Sequence, residues 1–222
     1  MKRSLKIKLI FIFFIVSLVA LSVGFMPKNN VKASVVSSLV MKDGAAIRMD
    51  SPTGIKFIAN IEESAYSSDN NYGMLIVPFD YFEKAEISIG DSTDYVNEFT
   101  NAFKNGKISN MPIIKENADV VKKGNVYEFS HSITNILENN YRRQWFGISF
   151  INNGDGTYSY AQSSADNTRS IVHVAGNALN RYYYDDTVTE DEKVLFEEGN
   201  NLDTLKNFVA TAVGQLEDNF AF

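Results

Sequence analysis

Residues 145–184 constrain this chain more than any other stretch, because they spell a strand, a tight turn, a return strand and a helix in one run. Phe146, Ile148 and Phe150 alternate with Gly147 and Ser149, the period-2 pattern of a half-buried strand over 145–151. The next five residues, Asn152-Asn153-Gly154-Asp155-Gly156, form a turn whose glycines accept positive φ without steric cost. A return strand follows over 157–161. Asp166 or Asn167 then caps a helix over 167–183, whose buried stripe is Ile171, Val174, Ala175, Ala178 and Tyr182.

The rest of the chain uses the same vocabulary. Residues 34–40 read as a first strand and 45–49 as a second. Ser51-Pro52-Thr53-Gly54 turns the chain into a strand over 55–61, with Ile55, Phe57, Ala59 and Ile61 on one face and Lys56, Ile58 and Asn60 on the other. Residues 72–77 form an apolar run that suits a central strand buried on both sides. A helical turn over 79–84, a short strand marked by Ile87 and Ile89, and a helix over 92–105 come next. That helix carries Tyr95, Phe99, Ala102 and Phe103 on one face and stops at Gly106. Residues 111–123 read as strand or loop, 126–131 as strand and 135–140 as a short helix or turn. Thr189 and Glu192 have the spacing of a capping box opening a helix to 198. A last helix, 203–218, presents Leu205, Phe208, Val209, Ala212, Val213 and Leu216. The expected fold class is mainly β with α (α+β): an antiparallel β-sandwich or curved sheet with the 167–183 helix packed on it and C-terminal helices closing it. A two-layer α+β arrangement is the alternative. With no repeat and no linker rich in Pro, Gly or Ser, residues 34–222 are expected to form one domain.

Residues 1–33 stand apart. Lys2, Arg3, Lys6 and Lys8 precede an uncharged apolar run over 9–25, and Val31-Lys32-Ala33 places small residues at the −3 and −1 positions of a cleavage site before Ser34. That is the pattern of a secretory signal peptide. A retained membrane anchor is the alternative, since the run approaches the roughly 20 residues of a membrane span. The expected location is secreted or extracellular, with cell-surface association open and no membrane contact after cleavage. The chain contains no Cys, so its core must hold the fold without disulfides, a habit that suits exported proteins of Gram-positive bacteria. A domain of this length buries about 70% of its unfolded surface, which is enough. Signal removal takes six basic residues and no acidic one, moving the formal net charge from −6 to −12. Such acidity disfavours nucleic acid and anionic membranes as partners and suits cations, neutral glycans or basic proteins.

Two sets of short motifs carry a resemblance. The first is Gly44-Ala45-Ala46-Ile47-Arg48, Thr53-Gly54-Ile55-Lys56-Phe57, and Tyr72-Gly73 through Leu75-Ile76-Val77-Pro78. The second is Gly156-Thr157-Tyr158-Ser159-Tyr160, Arg169-Ser170-Ile171, Val174-Ala175 and Ala178-Leu179. In this order, over residues 44–180, they resemble an uncharacterised domain recurrent in exported and surface proteins of Firmicutes. The resemblance implies an extracellular location beside glycan-handling and adhesive modules. That domain has no established activity, so it brings no functional residues.

The chemistry-bearing residues narrow the function classes. His131 and His173 stand at unrelated spacing and there is no Cys, which gives neither a zinc site nor a Cys–His pair. His173 falls with Arg169, Gly176, Asn177 and Asn180 on the helix face opposite the apolar stripe and is read as exposed. No Gly-x-Ser-x-Gly elbow is present. The 152–156 turn shares Asn153, Asp155 and Gly156 with a calcium loop but places Ile151 where the first oxygen ligand belongs. No cofactor is expected, and calcium among the acidic loops stays an unassigned alternative. Aromatic residues point furthest: flat rings stack on the C–H faces of sugars, and Tyr adds a hydroxyl. The candidate ligand-binding residues are Trp145, Tyr158, Tyr160, Tyr183, Tyr184 and Arg48, with at least half of the rings expected in the core and Tyr183 or Tyr184 expected outside it. The expected function is a secreted, non-enzymatic binding module for extracellular polysaccharide or cell-wall polymer. The alternative is a protein-interaction or structural component of the cell surface or of an exported complex. Third comes a carboxylate-dependent glycoside hydrolase, for which 27 acids nominate no pair.

Overall fold

A computed structural model describes residues 33–49 and 51–220, with side chains through 214. The expected signal segment up to residue 32 and the side chain of Leu216 lie outside these residues. The fold is mixed α+β and rests on two open sheets. One contains β1 (Ser34–Val35), β5 (Asn71–Pro78), β6 (Ile113–Lys115), β9 (Trp145–Asn152), β10 (Tyr158–Tyr160) and β11 (Thr168–Arg169), in the order β1-β10-β9-β5-β6 with β11 also on β9. The other holds β2 (Leu39–Met41), β3 (Ala46–Arg48), β4 (Gly54–Glu62), β7 (Val121–Lys123) and β8 (Val126–Thr134), in the order β2-β4-β8-β7 with β3 beside the start of β4. All pairings are antiparallel except β1 with β10.

The first sheet is buried on both faces, so its central strands β5 and β9 read as continuous runs of buried residues. One face packs on the second sheet through Tyr72, Met74, Ile76 and Trp145 against Leu39, Ile55, Phe57, Ala59 and Phe129. The small residues Gly147 and Ser149 belong to this inner face rather than to solvent, which corrects the half-buried reading of that strand. Gly147 is the point of closest approach: a Cβ there would lie 2.5 Å from the Phe57 ring. The opposite face presents Phe146, Ile148, Phe150 and Tyr160 to helices α1 (Asp80–Ala85) and α2 (Tyr95–Lys104), which contribute Tyr81, Phe82, Tyr95, Val96 and Phe99. On α2, Val96 takes the buried place expected of Phe103, which is exposed.

Helices α3 (Ile171–Tyr184), α4 (Glu190–Glu197) and α5 (Asn201–Phe220) follow β11. Ile171, Val174 and Ala175 of α3 and Leu205 and Phe208 of α5 join the inter-sheet core. Ala178 and Tyr182 complete the expected stripe only in part, and Val213 of the last helix is exposed. The capping box at Thr189 and Glu192 is present.

Three further expectations are corrected. Residues 34–40 are two strands, because the chain leaves the first sheet after Val36, whose N–H donates to Tyr160 O, and enters the second at Leu39. Ile87 and Ile89 form no strand: the chain leaves α1 through Glu86 at φ 59, and Ile87 seats in the core from a loop. The third helix starts at Ile171, not 167, because Ser170 accepts the His173 N–H while residues 165–167 form a separate 3-10 turn capped by Ser164.

Candidate functional site

Three adjoining recesses, all including Arg181, run along the exposed side of α3. Local sequence explains how it forms. Gly44 adopts φ +76, which turns the chain into β3, and it lies so close to Arg169 that a Cβ would stand 3.1 Å from Nε. Antiparallel pairing of Ala46–Arg48 with β4 places β3 beside α3. The capping box fixes the start of α4, which forms the far wall.

The first recess, about 300 Å³, is mainly apolar, with Ile47, Met49, Ala178, Leu195, Phe196 and Leu205 inside a rim of Arg181, Glu192 and Asn201. The second, about 340 Å³, shares Ile47, Ala178, Arg181 and Phe196 with it and adds Asp43, the Gly44–Ala46 backbone, Arg169, Val174 and Asn177. The third, about 410 Å³ and wide open, is polar: Asn177, Asn180, Arg181, Asp185 and Asp186 beside the ring of Tyr184.

Charge in this region is largely paired. Arg181 donates to Glu192 Oε1 at 2.7 Å and stands 3.8 Å from Asp185. The Thr189 backbone N–H and the Arg181 guanidinium hold the Glu192 carboxyl below the usual range against slight desolvation. Asp185 is lowered by the Thr187 hydroxyl and N–H, both of which donate to its Oδ1. Tyr182 donates to Glu197, which pushes its phenol up to about 12. Arg169, Asp43 and Asp186 stand outside this pairing among the described residues; Arg169 Nη1 donates to its neighbour's carbonyl, Thr168 O, at 2.7 Å.

The residues singled out in the sequence scatter over the molecule. Trp145 is 9% exposed, beside Arg169 across the β9–β11 ladder and with the Arg143 guanidinium 5.5 Å from its ring centroid. Tyr160 is buried; its hydroxyl donates to Asp94 Oδ1 at 2.9 Å and accepts the Val96 N–H at 2.9 Å. Tyr158 packs edge-on against Phe150 and donates to Glu116 at 3.4 Å. Arg48 donates to Pro52 O at 3.1 Å and so closes its own turn. Tyr183 and Tyr184 are 51% and 79% exposed, and of the six Tyr184 is the one that lines these three recesses.

The chain matches no protein-family model, no curated protein and no solved structure. The functional reading therefore rests on its own residues.

Sequence reasoning placed Arg169, Asn177 and Asn180 on the polar face of the helix and gave them no role. The signal was present in the spacing: positions 177, 180, 181 and 184 recur at three and four residues and so share one face. The 152–156 turn is explained by its own geometry, since Asn152 Oδ1 accepts the Gly154 N–H and Asp155 Oδ1 accepts from Thr157. Among the described residues no group of three or more His, Asp and Glu is placed to hold a metal.

Proposed function

We propose that this chain is an exported, non-enzymatic binding module for extracellular glycan or cell-wall polymer, with its ligand held along the exposed side of α3. The observation that carries the reading is the polar recess at Tyr184. An exposed ring stands there next to two amides and two carboxylates, which is the combination that stacks on a sugar face and hydrogen-bonds its hydroxyls. The export pattern in residues 1–33 and the resemblance to a surface-protein domain support the location. Glu98 is the acid lifted by burial, but it accepts the Asp94 N–H at 3.3 Å and serves the start of α2, so it lends a hydrolase no support.

The test is retention of the secreted chain on insoluble polysaccharides and bacterial cell walls. Tyr184→Ala is expected to weaken retention at least about tenfold, the loss of about 1.4 kcal/mol of stacking and burial, while leaving cooperative melting intact. Failure of the wild-type chain to bind any polymer overturns the reading. The protein-interaction alternative draws on the neighbouring apolar recess with its Arg181–Glu192 rim, and crosslinking on the native cell surface tests it.

A further inference from the structure

Among the described residues Arg169 is a cation without a counter-ion. Its single hydrogen bond runs to Thr168 O, and no carboxylate of the described residues lies within the 4.0 Å of an ion pair. Arg48 and Arg142 likewise donate only to backbone carbonyls, but neither lines a recess along α3. The remaining arginines of this region are paired. Arg143 grips Asp80 with two nitrogens, and Arg181 holds Glu192. Asp43 lines the same recess but falls outside ion-pair range of Arg169.

The guanidinium is also held in place before any ligand arrives. The bare face of Gly44 lies against Nε and Nη2, where a Cβ would stand 3.1 and 3.4 Å away. The Nη1 bond to Thr168 O fixes the plane of the fork. Trp145 stands directly opposite Arg169 on the neighbouring strand, within cross-strand packing distance. A pre-positioned guanidinium loses little rotamer freedom on binding, and its flat fork matches the geometry of carboxylate and phosphate oxygens. The N-terminus of α3 begins two residues later and adds the positive end of its dipole.

We propose that Arg169 receives an oxyanion of the ligand, so that the glycan lying along α3 is an acidic one, carrying carboxylate or phosphodiester groups. This rests on the glycan reading above and sharpens it. The recess holding Arg169 joins that of Tyr184 through Asn177 and Arg181. At 1.5 Å per residue the two ends lie about 20 Å apart along the helix, a span that a polymer bridges and a single sugar does not. The formal net charge of −6, or −12 once the expected leader is removed, does not oppose this, because at physiological salt fields are screened over about 8 Å and the local guanidinium sets the interaction.

The experiment compares retention of the secreted chain on a neutral glucan, a polyuronate and a glycerol-phosphate polymer, for wild type, Arg169→Lys and Arg169→Gln. The expected result is at least tenfold stronger retention on one of the acidic polymers. That preference should fall to parity in Arg169→Gln and be partly kept in Arg169→Lys, with melting unchanged in both; the polymer preferred identifies the anion. Equal retention on neutral and acidic polymers, or a preference that survives Arg169→Gln, overturns the inference and leaves the glycan reading standing. If no polymer is retained, the glycan reading falls. The Arg169 Nε–H resonance then decides the inference under titration with glucuronate, glycerol phosphate and methyl glucoside. A saturable shift with either anion and none with the neutral sugar supports it, and no shift with either anion overturns it.

Discussion

Gly147 and Phe57 meet face to face across the two sheets, so closely that a methyl group on Gly147 would stand 2.5 Å from Cγ and Cδ1 of the ring. Phe57 is fully buried between β4 and β9 and has no direction in which to retreat. Gly147→Ala is therefore expected to destabilise the fold by about 1–3 kcal/mol, the range for overpacking a closed core. Urea denaturation should show a lower midpoint at unchanged slope. Adding Phe57→Leu to the alanine variant should recover part of the loss, and strict additivity of the two changes would refute the contact.

Tyr160 ties the hairpin to the second helix. Its buried hydroxyl bonds Asp94 and the Val96 N–H, and burial, with Asp94 close by, pushes the phenol's pKa well above the ordinary tyrosine range. A folded-state pKa raised above the unfolded value means stability that is fully present below about pH 10. It is lost as pH climbs beyond that, because the unfolded chain ionises first. Tyr160→Phe should cost about 1–3 kcal/mol at neutral pH, where Asp94 and Val96 lose a buried partner. It should also flatten the decline of melting temperature between pH 9.5 and 11.5. An alkaline decline identical to wild type would count against Tyr160 as its source.

The fourth helix depends on its cap. No residue of Glu190–Glu197 is buried, while the Thr189 hydroxyl accepts the Glu192 N–H at 3.2 Å and Glu192 Oε2 accepts the Thr189 N–H at 3.1 Å. Thr189→Ala should destabilise this helix by about 1 kcal/mol. Hydrogen exchange should accelerate over residues 190–197 and stay unchanged in β5 and β9. A uniform change across the chain would show instead that the cap supports the whole fold.

Much of the architecture was legible in local pattern. The β3–β4 hairpin, the doubly buried β5, the β9–β10 hairpin and the capping box each express a short-range rule of alternation, turn chemistry or spacing. What local pattern missed were events set by distant partners. Gly147 and Ser149 look like the wet side of a strand until a second sheet arrives to cover them. Residues 34–40 look like one strand until the two ends are claimed by different sheets. The candidate site divides the same way. Exposure of Tyr184 follows from three consecutive helical tyrosines pointing about 100° apart. The setting of Arg169 depends on Gly44, 125 positions earlier, and no pattern in either segment announces that meeting.

The first strand begins at Ser34, whose hydroxyl lies 2.7 Å from that of Ser159, and Ala33 packs at the edge of the outer core. These residues flank the cleavage site expected from the leader. A protease must draw the chain on both sides of its target into its own groove, and Ser34 cannot occupy that groove and the sheet edge together. Were the chain cut before Ser34, the order of events would be fixed: the cut would come first, and only then would the sheet gain its edge strand β1. A chain that closed early would shield that bond.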